Sequence, residues 1–216
     1  MNKKTKKLIF SSASVFLIFL FWTLAVSFID VKAVGPYNSE VGFAALNKLF
    51  HNITGVNFTL YTITDWLGLV PIAFAAGFGI LGLVQLIKRR SIEKVDFNLI
   101  TLGVFYIITI IFYLLFEEIV INYRPVLING YLEPSYPSST TMLVATIMPT
   151  AIMQFNLRIK NKYAKRIIAF IIVLFMIFMI GGRLISGVHW LTDILGGLLL
   201  STSLVLLLMA VNNLKA

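Results

Sequence analysis

Six stretches of the chain are almost free of charge, at approximately 8–30, 64–87, 97–116, 139–157, 167–185 and 190–211. Each is long enough to cross a hydrocarbon core of about 30 Å, which takes roughly 20 helical residues. Inside lipid every backbone polar group has to be paired within the segment, so apolar runs of this length predict helices. The pattern predicts an all-α, polytopic membrane protein, a six-transmembrane-helix bundle with residues 1–216 as one membrane-embedded domain. The basic start Met1-Asn2-Lys3-Lys4 looks like that of a secretory signal. However, the apolar run behind it exceeds the roughly 7–15 residues of a signal core, which predicts a retained helix.

The polar intervals carry their own pattern. In the segment 31–63, Asn38-Ser39-Glu40 offers a helix start, after which Phe43, Leu46, Leu49, Phe50 and Ile53 share one face. Glu40, Asn47, Lys48 and His51 occupy the other. This predicts a short amphipathic helix, either lying in the headgroup plane or capping the bundle, with His51 as a polar-face residue. Ala75, Gly79 and Gly82 in the second run and Gly196-Gly197 in the sixth predict close helix contacts.

Composition agrees: 59% hydrophobic and 12% charged, against about 45–50% apolar and about 25% charged in soluble domains. There is no cysteine, so disulfides, thiolate metal sites and cysteine nucleophiles are excluded. With His51 and His189 the only histidines, neither a metal nor another cofactor is expected. The net charge of +9 invites a nucleic-acid reading. Its distribution answers that. All of the 18 lysines and arginines except Lys32, Lys48, Arg124 and Arg183 fall on one side of the six spans. By the positive-inside rule both termini are cytoplasmic and the Arg183–Asp193 turn is external. The surplus is topological and requires no nucleic-acid partner; membrane lipids are the surroundings. Usage rich in Ile, Lys and Asn points to a bacterial plasma membrane. The pattern leaves the oligomeric state open.

Two polar clusters stand on that external side. Gly182-Arg183 and His189-Trp190-Leu191-Thr192-Asp193 interrupt the fifth and sixth runs. Charged residues cost about 2.5–3.5 kcal/mol each at a helix centre, so their presence there asks for a function. His189 and Asp193 are four apart, on one face of the helix that begins there, so the carboxylate can hold the imidazole in one tautomer. Arg183 offers a guanidinium fork that suits a phosphate. An oriented histidine beside an anion clamp suits a nucleophile for a phosphoryl group. The other cluster contains Glu117, Glu118, Arg124 and Pro125, then Pro137-Ser138-Ser139-Thr140-Thr141 at the start of the fourth run. Pro137 suits the first turn of a helix, whose free N–H groups and dipole favour an anion.

Together these residues resemble the type 2 phosphatidic acid phosphatase family of membrane-bound lipid phosphate phosphatases, which carries the patterns K-x6-R-P, P-S-G-H and S-R-x5-H-x3-D. The third is matched at Arg183, His189 and Asp193, with Gly182 in place of its serine; the first at Arg124-Pro125; the second at Pro137-Ser138. The resemblance implies His189 as a nucleophile forming a phosphohistidine and Asp193 as its orienter. It implies Arg124, Arg183 and the Ser138–Ser139 amides, beside Thr140, as the phosphate-binding set. Glu117 stands where the family has lysine, and Thr140 where it has the histidine that protonates the leaving oxygen. Threonine cannot act as an acid near neutral pH, whereas Glu117 or Glu118 with a raised pKa could.

The expected activity is hydrolysis of a lipid phosphomonoester or pyrophosphate at the external leaflet. A leaving phosphate needs no proton, so the missing histidine favours a polyprenyl pyrophosphate over a glycerophospholipid phosphate. The rival reading is a catalytically inactive lipid-phosphate binder or transporter of the same fold. Intact His189–Asp193 spacing speaks against it, because a binder needs the arginines but not an oriented imidazole.

Overall fold

The computed structural model describes residues 1–215. Its helices are α1 (Lys3–Phe28), α2 (Ala44–Thr54), α3 (Phe58–Leu67), α4 (Leu69–Arg89), α5 (Phe97–Glu118), α6 (Ser139–Arg158), α7 (Lys162–Ile185) and α8 (Leu191–Asn212). Two short strands, β1 (Lys32–Ala33) and β2 (Glu40–Val41), pair antiparallel between α1 and α2. Five helical segments among the described residues are long and apolar enough to cross a membrane: α1, the α3–α4 pair, α5, α7 and α8. Their outward faces expose residues such as Phe10, Phe21, Ile80, Ile107 and Phe170, the surface of a protein solvated by hydrocarbon.

The fourth run, α6, is the most polar of the set, and its position explains why. It packs against α4, α5, α7 and α8 at the centre of the bundle, burying Thr140, Thr141, Thr146, Thr150 and Gln154. A helix wrapped by its neighbours can keep hydroxyls that a lipid-facing helix cannot; Thr141 Oγ1 and Thr146 Oγ1 are buried there without a partner, and Thr150 is paired. Thr150 donates to the Ile147 carbonyl and meets the Tyr106 hydroxyl at 2.8 Å. Helix α8, the other central element, is joined to α1 by a reciprocal serine pair. Ser12 Oγ donates to the Ser203 carbonyl (2.9 Å) and Ser203 Oγ to that of Ser12 (3.1 Å).

Four local expectations are revised. The segment Asn38-Ser39-Glu40 does not start a helix; it closes the β1–β2 turn, and α2 begins only at Ala44. Phe43 lies outside that helix in a left-handed conformation and stacks on Trp22 at 5.3 Å. The amphipathic helix itself is present, with Asn47 turned inward and Lys48 exposed. Leu49 and Ile53 are exposed, whereas Asn47 is buried, donating to the Gly42 carbonyl (2.8 Å) and to Thr192 Oγ1 (3.0 Å). Gly79 and Gly82 make no close helix contact; they line an open groove between α4 and α5. Gly196 and Gly197 do, against the Tyr136 ring and the Ser138 carbonyl, where a side chain would clash. The second span starts at Phe58, six residues before the apolar run suggested, and breaks at Gly68.

Candidate active site

Helix α7 ends at Ile185, and Gly187 turns the chain back with φ of +67°. A Cβ here would lie 1.8 Å from the Gly55 carbonyl oxygen, so both the conformation and the close approach require glycine. The turn delivers His189 ahead of α8, not on it. Asp193 is the third residue of that helix, and its Oδ2 accepts the Trp190 N–H at 2.9 Å. The two residues therefore do not share a helix face. Asp193 reaches back over the helix start, leaving Oδ2 3.6 Å from His189 Nδ1. That separation is longer than a hydrogen bond but leaves the ring nitrogen facing the carboxylate.

On the other side of the ring, Arg124 Nη1 lies 3.1 Å from His189 Nε2. A guanidinium has only donors, so Nε2 is the unprotonated nitrogen and the proton sits on Nδ1, toward Asp193. His189 is buried. Burial, and then the positive charges of Arg124 and Arg183, hold its pKa well below the ordinary histidine value. The imidazole is thus neutral at physiological pH, with its lone pair aimed at the position where Arg124 would draw an anion.

Arg124 is set by a small loop fold. Its N–H donates to the Glu133 carbonyl (3.0 Å), and its Nε lies 3.0 Å from Glu133 Oε2. Arg183, in the last turn of α7, is buried beside Asp65 (Nη1–Oδ1 3.5 Å) with its guanidinium 4.9 Å from the Tyr61 ring centre. Its Nε has no partner.

Helix α6 begins at Ser139, with Ser138 as its N-cap, so Pro137 precedes the first turn. The Ser138 N–H is not available to a phosphate, because it is given to the Asp193 carbonyl (3.0 Å), while the Ser138 hydroxyl accepts from Thr141 N–H. Ser139 and Thr140, at the first two helical positions, have N–H groups that no carbonyl of the helix can accept. Ser139, Glu117, Arg124 and His189 line one small cleft. Glu118 lines neither this cleft nor the groove beside it. From Ser139 an apolar groove of about 470 Å³ runs between α4, α5 and α6, lined by Asp65, Leu69, Ile72, Tyr106, Thr140 and Ile147 among others. His51 packs on Trp190 at 5.5 Å and does not enter the cleft.

Sequence reasoning missed Asp65, Glu133 and Asn122. Asp65 carried a signal, an acidic residue near the start of an apolar run. Asn122 carried none: it is a buried amide whose neighbours come from distant segments.

The PAP2 superfamily sequence model matches residues 101–215, and the chain belongs to that superfamily. A crystal structure of a transmembrane PAP2-type phosphatidylglycerolphosphate phosphatase from Bacillus subtilis has the same fold. Its TM-score is 0.61 at 20% identity, with 95% of this chain and 97% of that chain covered. No curated protein sequence matches this chain.

Proposed function

We propose that this protein is a lipid phosphatase that removes a phosphate from a lipid phosphomonoester or pyrophosphate through a phosphohistidine on His189. The observation that carries the reading is the imidazole held between Arg124 at Nε2 and Asp193 at Nδ1. A phosphate drawn to Arg124 meets a lone pair, while the positive charge that develops on the ring is met by the carboxylate. Arg124, Arg183 and the Ser139 and Thr140 amides form the clamp; Ser138 holds the helix that carries the last two. The groove between α4, α5 and α6 supports a lipid as the phosphate's carrier, since an apolar channel leading to two arginines suits a tail behind an anionic head.

The chain acts as one domain spanning a bacterial plasma membrane, with both termini cytoplasmic and the site outside. The distribution of lysine and arginine supports this orientation. An inactive lipid-phosphate binder would need the arginines only. The test is incubation of purified protein in detergent with phosphatidate, phosphatidylglycerophosphate and a polyprenyl pyrophosphate, followed by phosphate release and a search for acid-labile, base-stable phosphoprotein. Tight lipid binding with neither signal would replace the enzyme with the binder.

A further inference from the structure

Besides Asp193, three carboxylates surround the site, and they stand in different places. Glu133 is engaged with Arg124. Glu117 lines the cleft on the side of His189. Asp65 is the one that lines the apolar groove, next to Ser139 and Thr140, at the point where a lipid tail would meet the clamp. It lies in the last turn of α3, three residues before Gly68, whose N–H still donates to the Thr64 and Asp65 carbonyls. A Cβ on Gly68 would lie 3.7 Å from Thr140 Cγ2, so the α3–α4 joint lies beside the threonine.

Position decides which carboxylate can serve the leaving group. Displacement at phosphorus is in line, so the leaving oxygen departs from the face opposite His189 Nε2. With the tail in the groove, that oxygen lies among Asp65, Ser139 and Thr140. Threonine cannot supply a proton there near neutral pH, and Glu117 lines the cleft with His189 and not the groove. We propose that Asp65 is a catalytic residue, the acid that protonates the leaving oxygen and the base that then activates water. This proposal rests on the phosphohistidine reading above.

The chemistry balances over two steps. In the first, the His189 Nε2 lone pair forms the N–P bond as the P–O bond to the lipid breaks, and the Asp65 carboxyl proton passes to the departing oxygen. In the second, the Asp65 carboxylate takes a proton from water as its oxygen attacks phosphorus. The N–P bond breaks, inorganic phosphate leaves, and His189 and protonated Asp65 are restored.

Asp65 Oδ1 faces Arg183 Nη1 from α7 at 3.5 Å. The other polar groups around it are Tyr61 on its own helix, Tyr113 on α5, and Ser139 and Thr140 on α6. A bound phosphate dianion competes for the Arg183 guanidinium. It thereby frees the Asp65 carboxyl from Arg183 to face the leaving oxygen.

The test is rapid-quench measurement on wild type, Asp65→Asn and Asp65→Glu, with phosphatidate and a polyprenyl pyrophosphate as substrates. In Asp65→Asn, phosphoenzyme formation from phosphatidate should slow by about 10²–10³-fold, within the range of general acid catalysis. Formation from the pyrophosphate should change by less than about tenfold, because a phosphate leaves without a proton. Phosphoenzyme breakdown should slow with either substrate, so phosphohistidine accumulates. Asp65→Glu, which keeps the proton, should restore most of the rate. Equal losses in formation from both substrates without accumulation would reduce Asp65 to a brace for Arg183 and overturn the proposal. So would a Glu variant as impaired as the Asn variant. Absence of phosphohistidine in wild type would instead remove the nucleophile reading on which both depend.

Discussion

Asn122 Nδ2 lies 3.4 Å from Asp193 Oδ1, on the side of the carboxylate turned away from His189. The same amide reaches Thr192 Oγ1, and its oxygen accepts the Gly42 N–H, so one buried side chain ties both long connecting segments to the start of α8. Asn122→Ala should lower kcat by roughly tenfold to a hundredfold with little change in KM, since a hydrogen bond to a charged group contributes about 1.5–3 kcal/mol. Asn122→Asp should do worse by placing a like charge behind Asp193. Steady-state kinetics of the two variants check this; a pure KM effect would mean that the amide only holds the loops together.

His189→Ala should abolish turnover and phosphoenzyme formation while the protein still inserts and binds lipid phosphate. Asp193→Asn should cost on the order of 10⁴-fold, because the amide cannot stabilise the imidazolium and favours the wrong tautomer. Near wild-type phosphate release from His189→Ala would refute the nucleophile assignment.

The lowered pKa of His189 separates activity from stability as pH falls. An acid limb of kcat/KM due to this group should lie below the ordinary histidine range, after correction for the phosphate ionisation of the substrate. Stability should decline earlier. Below the ordinary value the unfolded chain takes a proton that the buried ring refuses, so its contribution is lost between the ordinary and the lowered pKa. Paired pH series of kinetics and thermal melting in detergent would reveal the offset; coincident limbs would argue against a neutral buried ring.

Arg124→Lys and Arg183→Lys should each lose activity substantially, despite keeping the charge. An ammonium cannot reproduce the planar fork, and at position 124 it cannot approach the imidazole and a phosphate together from one rigid group. Kinetics unchanged in both variants would exclude the clamp.

Orientation can be read with single cysteines, since the chain has none of its own. Tyr131 is exposed in the loop beside the site, and Glu93 lies in the basic α4–α5 connection. In intact cells an impermeant maleimide should label Tyr131→Cys and spare Glu93→Cys. The reverse pattern would invert the topology.

The helices were legible because lipid imposes a single rule on every residue facing it, and long runs such as 97–116 can obey it in only one way. The triad of Arg183, His189 and Asp193 was legible because costly residues at fixed spacing need a reason. What escaped was set by contacts between distant segments. Ser138 looked like a phosphate donor until its N–H was found on the Asp193 carbonyl. Asn47 reads as a solvated polar residue, whereas its amide is buried against Thr192 of α8. The i, i+4 spacing of His189 and Asp193 suggested a shared helix face, whereas the turn at Gly187 makes it a reach around a helix start.

The bond from Ser138 N–H to the Asp193 carbonyl fastens the start of α6 to the start of α8, so the phosphate-binding amides and the histidine loop sit on one joined platform. For the proposed lipid phosphatase, encounter is a two-dimensional search, in which a lipid diffusing in the leaflet slides sideways into the groove between α4, α5 and α6. Turnover should follow the mole fraction of substrate in the bilayer, not its bulk concentration, and diluting vesicles at constant composition should leave the rate per enzyme unchanged.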